Sequence, residues 1–129
     1  MENAPKKILI IDDDSFLLDM YGLKFKQSGF ETETALGSTM AYDKMKTGYT
    51  PDIILLDLIM PIMDGFELME KMNTEKLAPS AVRIVLSNRG QEEDITRARG
   101  LGATGFIIKA SSTPAEVIDK VKEIITNAQ

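Results

Sequence analysis

The chain has no cysteine and no histidine. The first absence excludes disulfides, thiolate metal sites and cysteine nucleophiles. The second removes the commonest general base, the usual zinc ligand and any phosphohistidine carrier. Chemistry is left to Asp, Glu, Lys, Ser, Thr and Tyr. No apolar run approaches the roughly 18 residues needed to span a bilayer. Met1 to Lys7 is short and polar, without the apolar core of a signal peptide. A cytoplasmic protein with no membrane contact is expected. Basic charge is not in surplus either: 15 Lys and Arg against 20 Asp and Glu give a net charge of −5. That argues against direct, sequence-independent nucleic-acid binding.

What is there fits one globular domain spanning residues 1–129, with 43% hydrophobic and 27% charged residues. No repeat, low-complexity segment or linker interrupts it, and no output domain is expected after the last helix. The organising stretch is Pro51 to Gly65, PDIILLDLIMPIMDG. Ile53 to Leu56 is an unbroken apolar run, the pattern of a strand buried on both faces of a parallel sheet. It stops at Asp57, and Pro61, Asp64 and Gly65 break the chain before a helical pattern begins at Phe66.

Other segments repeat this order of strand then helix. Lys7 to Ile11 is apolar and runs into Asp12-Asp13-Asp14-Ser15. A helix follows over about 16–28, with Leu17, Tyr21 and Phe25 on one face beside Leu18, Asp14 or Ser15 as cap and Gly29 as stop. Gly22 inside it has no evident reason. Phe30 to Ala35 alternates like an edge strand. Ser38 is the expected cap of a helix with Ala41, Tyr42 and Met45 inward, ended by Gly48. Phe66 to about Asn73 is a short helix, Val82 to Leu86 a strand ending at Ser87-Asn88, and Glu92 to about Leu101 a helix. Gly102 and Gly105 bracket a turn into the strand Phe106 to Ile108, which ends at Lys109. Thr113-Pro114-Ala115-Glu116 is a capping box for a last helix carrying Val117, Val121, Ile124 and Ile125 inward. Five such units call for a doubly wound parallel sheet with right-handed crossovers.

In such a sheet the strand ends share one edge, where ligands bind. Asp12, Asp13, Asp57, Ser87 and Lys109 should therefore converge. Clustered carboxylates raise one another's pKa. A hard divalent cation such as Mg²⁺, which takes carboxylate and phosphate oxygens, relieves that repulsion. With Lys109 as a cation and Ser87 as a donor, the set suits a phosphoryl group, and Asp57 can attack phosphorus. The backbone N–H groups of Leu58 and Asn88 are candidate further donors.

The segments IIDDDS, LLDLIMPIMDG, IVLSN and GFIIK, in that order, resemble the receiver domain of two-component response regulators. The resemblance implies a flavodoxin-like (βα)5 fold with strand order 2-1-3-4-5 and an aspartyl-phosphate switch. It makes the chain a regulatory phosphoacceptor in a phosphorelay rather than a turnover enzyme. Asp57 would be the phosphoacceptor. Asp13 and Asp57 would bind Mg²⁺ with the backbone carbonyl of Ile59, and Asp12 would act largely through water. Ser87 would bind the phosphoryl group, and Lys109 would pair with Asp57 and then with phosphate. Phe106 holds the position of an aromatic switch, with core packing as its other reading. A histidine kinase or phosphotransfer protein would be the donor. The face of the fourth helix, fifth strand and last helix would meet a downstream protein or a second copy in a phosphorylation-dependent homodimer.

Three departures from the family pattern stand out. Ala110 follows Lys109 where Pro is frequent, so a trans bond is expected. Asn88 is bulky where a small residue is usual. Ile59 and Arg89 flank the site where the family varies; Ile59 and Asn88 are expected to hinder the attacking water and lengthen the phosphorylated lifetime. Three rival readings fit less well. An Asp-nucleophile phosphatase of the haloacid dehalogenase type would use Asp12, Asp14, Ser87 and Lys109, but it leaves Asp57 without a role. Flavin binding needs a hydroxyl-rich phosphate loop where DDDS stands. An unphosphorylated interaction module does not require the intact acidic set.

Overall fold

A computed structural model describes residues 6–127. The elements in order are β1 (Lys7–Asp12), α1 (Ser15–Gln27), β2 (Glu31–Leu36), α2 (Ser38–Lys46), β3 (Ile53–Leu56), α3 (Gly65–Glu75), β4 (Val82–Ser87), α4 (Glu92–Gly100), β5 (Ala103–Ile108) and α5 (Pro114–Asn127). A single 3₁₀ turn, Lys109–Ser111, precedes α5. All strand pairs are parallel, in the order β2-β1-β3-β4-β5. The fold is flavodoxin-like, as expected.

The period-two alternation of a strand explains the two cores. Ile8, Ile10, Ile53, Leu55, Ile84 and Leu86 face one side, where Leu18, Tyr21 and Phe25 of α1 and Val117, Ile118 and Val121 of α5 cover them. Leu9, Ile11, Ile54, Leu56 and Val85 face the other side, under α2, α3 and α4. The central strands β1 and β3 are apolar on both faces because both faces are roofed, and β4 is so apart from the buried Arg83. Met60, Met69 and Met72 are buried in this second layer, as packing rather than as a cofactor box.

The structure corrects several local expectations. Asp14 caps α1, accepting from the N–H groups of Phe16 and Leu17 at 3.0 and 3.2 Å. Leu17 is only half-buried, and Leu18 takes the inward place. Ser38 is not a cap: Gly37 occupies that position, and Ser38 is the first residue of α2, with its hydroxyl against Met60 Sδ. α3 extends to Glu75, because Met72 is buried and Tyr42 on α2 donates to Glu75 at 2.7 Å. β5 begins at Ala103, so Gly105 lies inside it rather than at its mouth. A bulge separates the pairs Arg83–Ala103 and Ile84–Gly105, and a Cβ at Gly105 would press on Ile124.

Gly22 now has a reason. A Cβ there would lie 3.1 Å from the Thr34 methyl on β2, so glycine lets α1 lie close to the edge strand. Restoring a side chain recovers helix propensity of about 1 kcal/mol but overpacks the seam. Gly22→Ala should therefore be more favourable, by up to about 1 kcal/mol, in a Thr34→Ser background than alone. Urea denaturation of the four chains in that cycle measures the difference.

Candidate functional site: an acidic pocket closed by one lysine

Strand register brings the polar residues to one edge. Ile11 pairs with Leu56, so Asp12 and Asp57 follow side by side. Ser87 pairs with Ile108 at the end of β4 and β5, and Lys109 comes next. The sheet order then places Asp12 and Asp57 centrally, with Lys109 reaching across β4.

Lys109 Nζ donates to Asp12 Oδ2 at 2.8 Å and to Asp57 Oδ2 at 3.0 Å. The side chains of Lys109, Asp12 and Asp57 are 11%, 4% and 11% exposed. Pairing of Lys109 with Asp57 alone is thus an incomplete expectation, because Asp12 shares the ammonium. The remaining carboxylate oxygens are held by backbone. Asp12 Oδ1 accepts from the Asp14 N–H at 3.0 Å, and Asp57 Oδ1 from the Ile59 N–H at 3.3 Å. Asp13 is exposed at the rim. Asp12, Asp13 and Asp57 each offer an oxygen within 4.8 Å of the others. Such a spacing suits one hard cation, with Mg–O distances of about 2.0–2.1 Å, after a small inward movement.

Electrostatics follow from this arrangement. Three carboxylates face one ammonium, so the pocket is anionic. Partial burial raises the Asp13 carboxyl above the ordinary aspartate range, and the charges of Asp12 and Asp57 add to that rise. Burial alone would lower Lys109, but its hydrogen bond to Asp12 and the charge of Asp57 outweigh it, and its pKa is raised. Tyr21, buried beneath Asp12 and Lys109, is also raised, chiefly by burial.

The backbone around Asp57 is fixed from the α3 side. A Cβ on Gly65 would lie 2.5 Å from the Asp57 carbonyl oxygen and 2.9 Å from Leu58 Cα, so only glycine fits. The Gly65 N–H donates to the Leu58 carbonyl at 2.9 Å. Asp64 and Glu67 form a reciprocal capping box at 2.8 and 3.0 Å. Between Asp57 and that cap, the Met63 N–H reaches the Pro61 carbonyl at 2.8 Å, while Ile62 has φ 72° and is 92% exposed. This is the strained kind of γ-turn, carried by a β-branched residue.

Ser87 is buried at the same edge but is not hydrogen-bonded to the acidic set. Its Oγ accepts from the Arg89 N–H at 3.2 Å. Asn88 and the Ile59 side chain are exposed beside the pocket. Phe106 is half-buried on β5 and packs against the core layer under α2, α3 and α4. The described peptide bonds are all trans, Lys109–Ala110 among them. Sequence reading missed the Asp12–Lys109 contact, for which no local signal exists. It also missed the α3 capping box, whose signal, Asp64 with Glu67 three residues on, was present.

A sequence profile of the response regulator receiver domain matches residues 8–122. The chain belongs to this family. Among its relatives, it is 31% identical to the alkaline phosphatase synthesis transcriptional regulatory protein PhoP of Bacillus subtilis, over 96% of this chain and 50% of that one. It is 28% identical to the chemotaxis protein CheY of Halobacterium salinarum, over 94% of this chain and 98% of CheY. The chain therefore spans about half of PhoP and nearly all of CheY. The crystal structure of a CheY-like receiver domain protein from Methanospirillum hungatei superimposes with a TM-score of 0.84 at 28% identity, covering 95% of both chains. Receiver domains belong to two-component signalling, and the acidic pocket lies inside the matched region. Among the described residues no helix is long and apolar enough to cross a membrane.

Because Lys109 titrates above its unfolded value of about 10.5, its pairing stabilises the fold fully below that pH. The contribution disappears as pH rises through the folded value. Lys109→Met should cost about 3 kcal/mol at pH 7, since it leaves two buried carboxylates without a partner. The gap between the two chains should narrow as pH rises past about 10.5, as read by urea denaturation across pH 7 to 11.5.

Proposed function

We propose that this receiver domain is an aspartyl-phosphate switch, with Asp57 as the phosphoacceptor. The observation that carries the reading is the single ammonium of Lys109 bridging Asp12 and Asp57 beside exposed Asp13. Such an arrangement sets a cation beside the Asp57 carboxylate, the group that would attack phosphorus. An Asp57 oxygen attacks phosphorus in line; the new P–O bond forms as the P–N bond of a donor phosphohistidine breaks. The bonding pair leaves with the imidazole nitrogen. The donor is a histidine kinase or phosphotransfer protein, since the chain has no histidine of its own.

Asp12, Asp13, Asp57 and the Ile59 carbonyl would hold Mg²⁺. Bound there, the ion neutralises the carboxylates and draws charge from the phosphoryl oxygens. Lys109 provides the second positive charge, and Ser87 turns its hydroxyl proton toward the new phosphate. The N–H groups of Leu58 and Asn88 are further donors. Phosphorylation adds charge and acceptor oxygens. Ser87 and its loop follow, Phe106 repacks, and the surface of α4, β5 and α5 changes its preference for a downstream protein or a second copy. The role is regulatory and the setting cytoplasmic. Neither nucleic acid nor membrane is a direct partner of the domain.

Incubation with Mg²⁺ and acetyl phosphate, followed by intact mass, should show a gain of one phosphoryl group that requires both Mg²⁺ and Asp57. An adduct surviving Asp57→Asn would overturn the assignment. Donor hydrolysis that survives Asp57→Asn but not Asp12→Asn would instead indicate a phosphatase.

Ile59 and Asn88 stand exposed where a hydrolytic water must approach. Ile59→Asn and Asn88→Ala should each shorten the phosphorylated lifetime about threefold, which corresponds to less than 1 kcal/mol in barrier. Loss of the adduct with time after donor removal measures this, and unchanged lifetimes in both variants would remove the proposed shielding.

A further inference from the structure

Outside the acidic pocket, one other buried carboxylate stands close to the site. Asp94, in the first turn of α4, has a side chain only 7% exposed, and its Oδ2 accepts from Arg89 Nε at 3.0 Å. A buried carboxylate is costly unless it meets a cation. The Arg89 side chain is itself 52% exposed, so the two ends of the pair are unlike. Asp94 is fixed within a helix, where the N-terminal end also favours its charge. Arg89 lies on the loop between β4 and α4 and is the solvent-exposed end.

Arg89 is tied at its backbone too, because its N–H donates to Ser87 Oγ. Gly90 next to it is seated on the end of β5: a Cβ there would run into the Ile108 side chain. Ile108 directly precedes Lys109. The loop therefore joins three things: the Ser87 hydroxyl, the end of β5 and the buried Asp94. A hydroxyl accepts and donates at once. A Ser87 hydroxyl that moves toward Asp57 while keeping its bond from the Arg89 N–H must carry that backbone with it. Asp94 is the anchor against which that movement pulls.

We propose that the Arg89–Asp94 ion pair is a clasp that positions Ser87, and that its closure restrains uptake of a phosphoryl group at Asp57. The second half of this statement rests on the reading of Asp57 as phosphoacceptor. Neither Arg89 nor Asp94 touches the transferred group; both act through Ser87. Opening the clasp frees the loop to follow the anion, so weakening the pair speeds uptake. Lost structure alone would slow it.

Asp94→Asn is the clean variant, since it removes the buried charge and leaves Arg89 in solvent. Arg89→Gln opens the same pair from its exposed side and serves if Asp94→Asn does not fold. Two readouts are needed. Hydrogen–deuterium exchange of residues 87–94 in the unphosphorylated chain should quicken about fivefold. Uptake from acetyl phosphate with Mg²⁺, followed by intact mass, should also quicken about fivefold. Arg89→Lys, which keeps a cation for Asp94, should stay near the parent chain in both. Unchanged exchange, or slower uptake in a folded variant, overturns the clasp. A parent chain that takes up no phosphoryl group defeats the reading of Asp57 instead. The clasp is then decided by exchange alone: it stands if Asp94→Asn loosens residues 87–94 and falls if it does not.

Discussion

One ammonium holds the working edge of this molecule together. Lys109 reaches Asp12 at 2.8 Å and Asp57 at 3.0 Å, and so links the ends of β1, β3 and β5. Two nearly buried carboxylates side by side repel each other, and neither remains ionised cheaply without a partner. The lysine makes their closeness tolerable. Everything else at the edge is arranged around that triangle. Backbone N–H groups occupy the outer oxygens of Asp12 and Asp57, while Asp13 remains free at the rim. Sheet order does the rest, because only a parallel arrangement brings these strand ends to the same side.

The two flanks of the triangle are built differently. On the β3 side the chain is wedged by backbone. Gly65 touches the Asp57 peptide, and the Asp64–Glu67 box fixes the start of α3. On the β4 side each restraint involves a side chain: Ser87 Oγ accepts from the Arg89 N–H, Arg89 pairs with Asp94, and Ile108 lies against the Gly90 backbone. Backbone packing has little freedom to yield, whereas an ion pair with one exposed end exchanges readily with water. Asp57 thus sits on the rigid flank and the Ser87 hydroxyl on the yielding one, a division that the proposed switch asks for.

Most of the fold was legible in the sequence because local and global signals agree. Continuous apolar runs at Ile8 to Ile11 and Ile53 to Leu56 marked the central strands, and caps at Asp14 and Thr113 marked helix starts. Misjudgements arose where tertiary contact overrode local chemistry. Ser38 has a good capping side chain, yet Gly37 takes that place, with φ 90°. Gly105 looked like a turn residue, yet it relieves Ile124 at a bulge. At the site, the residue types were readable from the strand ends, but their pairing was not. No spacing rule indicates that Lys109 divides itself between Asp12 and Asp57, or that Arg89 turns to Asp94 and away from the pocket. Those choices depend on distances set by the sheet.

Asp12 and Lys109 lie 97 residues apart in the chain. β5 adds to the sheet next to β4, so the cation arrives only with the last strand of this sheet to be made. At about 5–20 residues per second, the three carboxylates exist for several seconds before their lysine is made. A nascent or truncated chain ending before β5 has the three carboxylates but not the charge that steadies them. Formation of the pocket is thereby tied to completion of the sheet, and an unfinished chain carries an acidic cluster that works against its own closure.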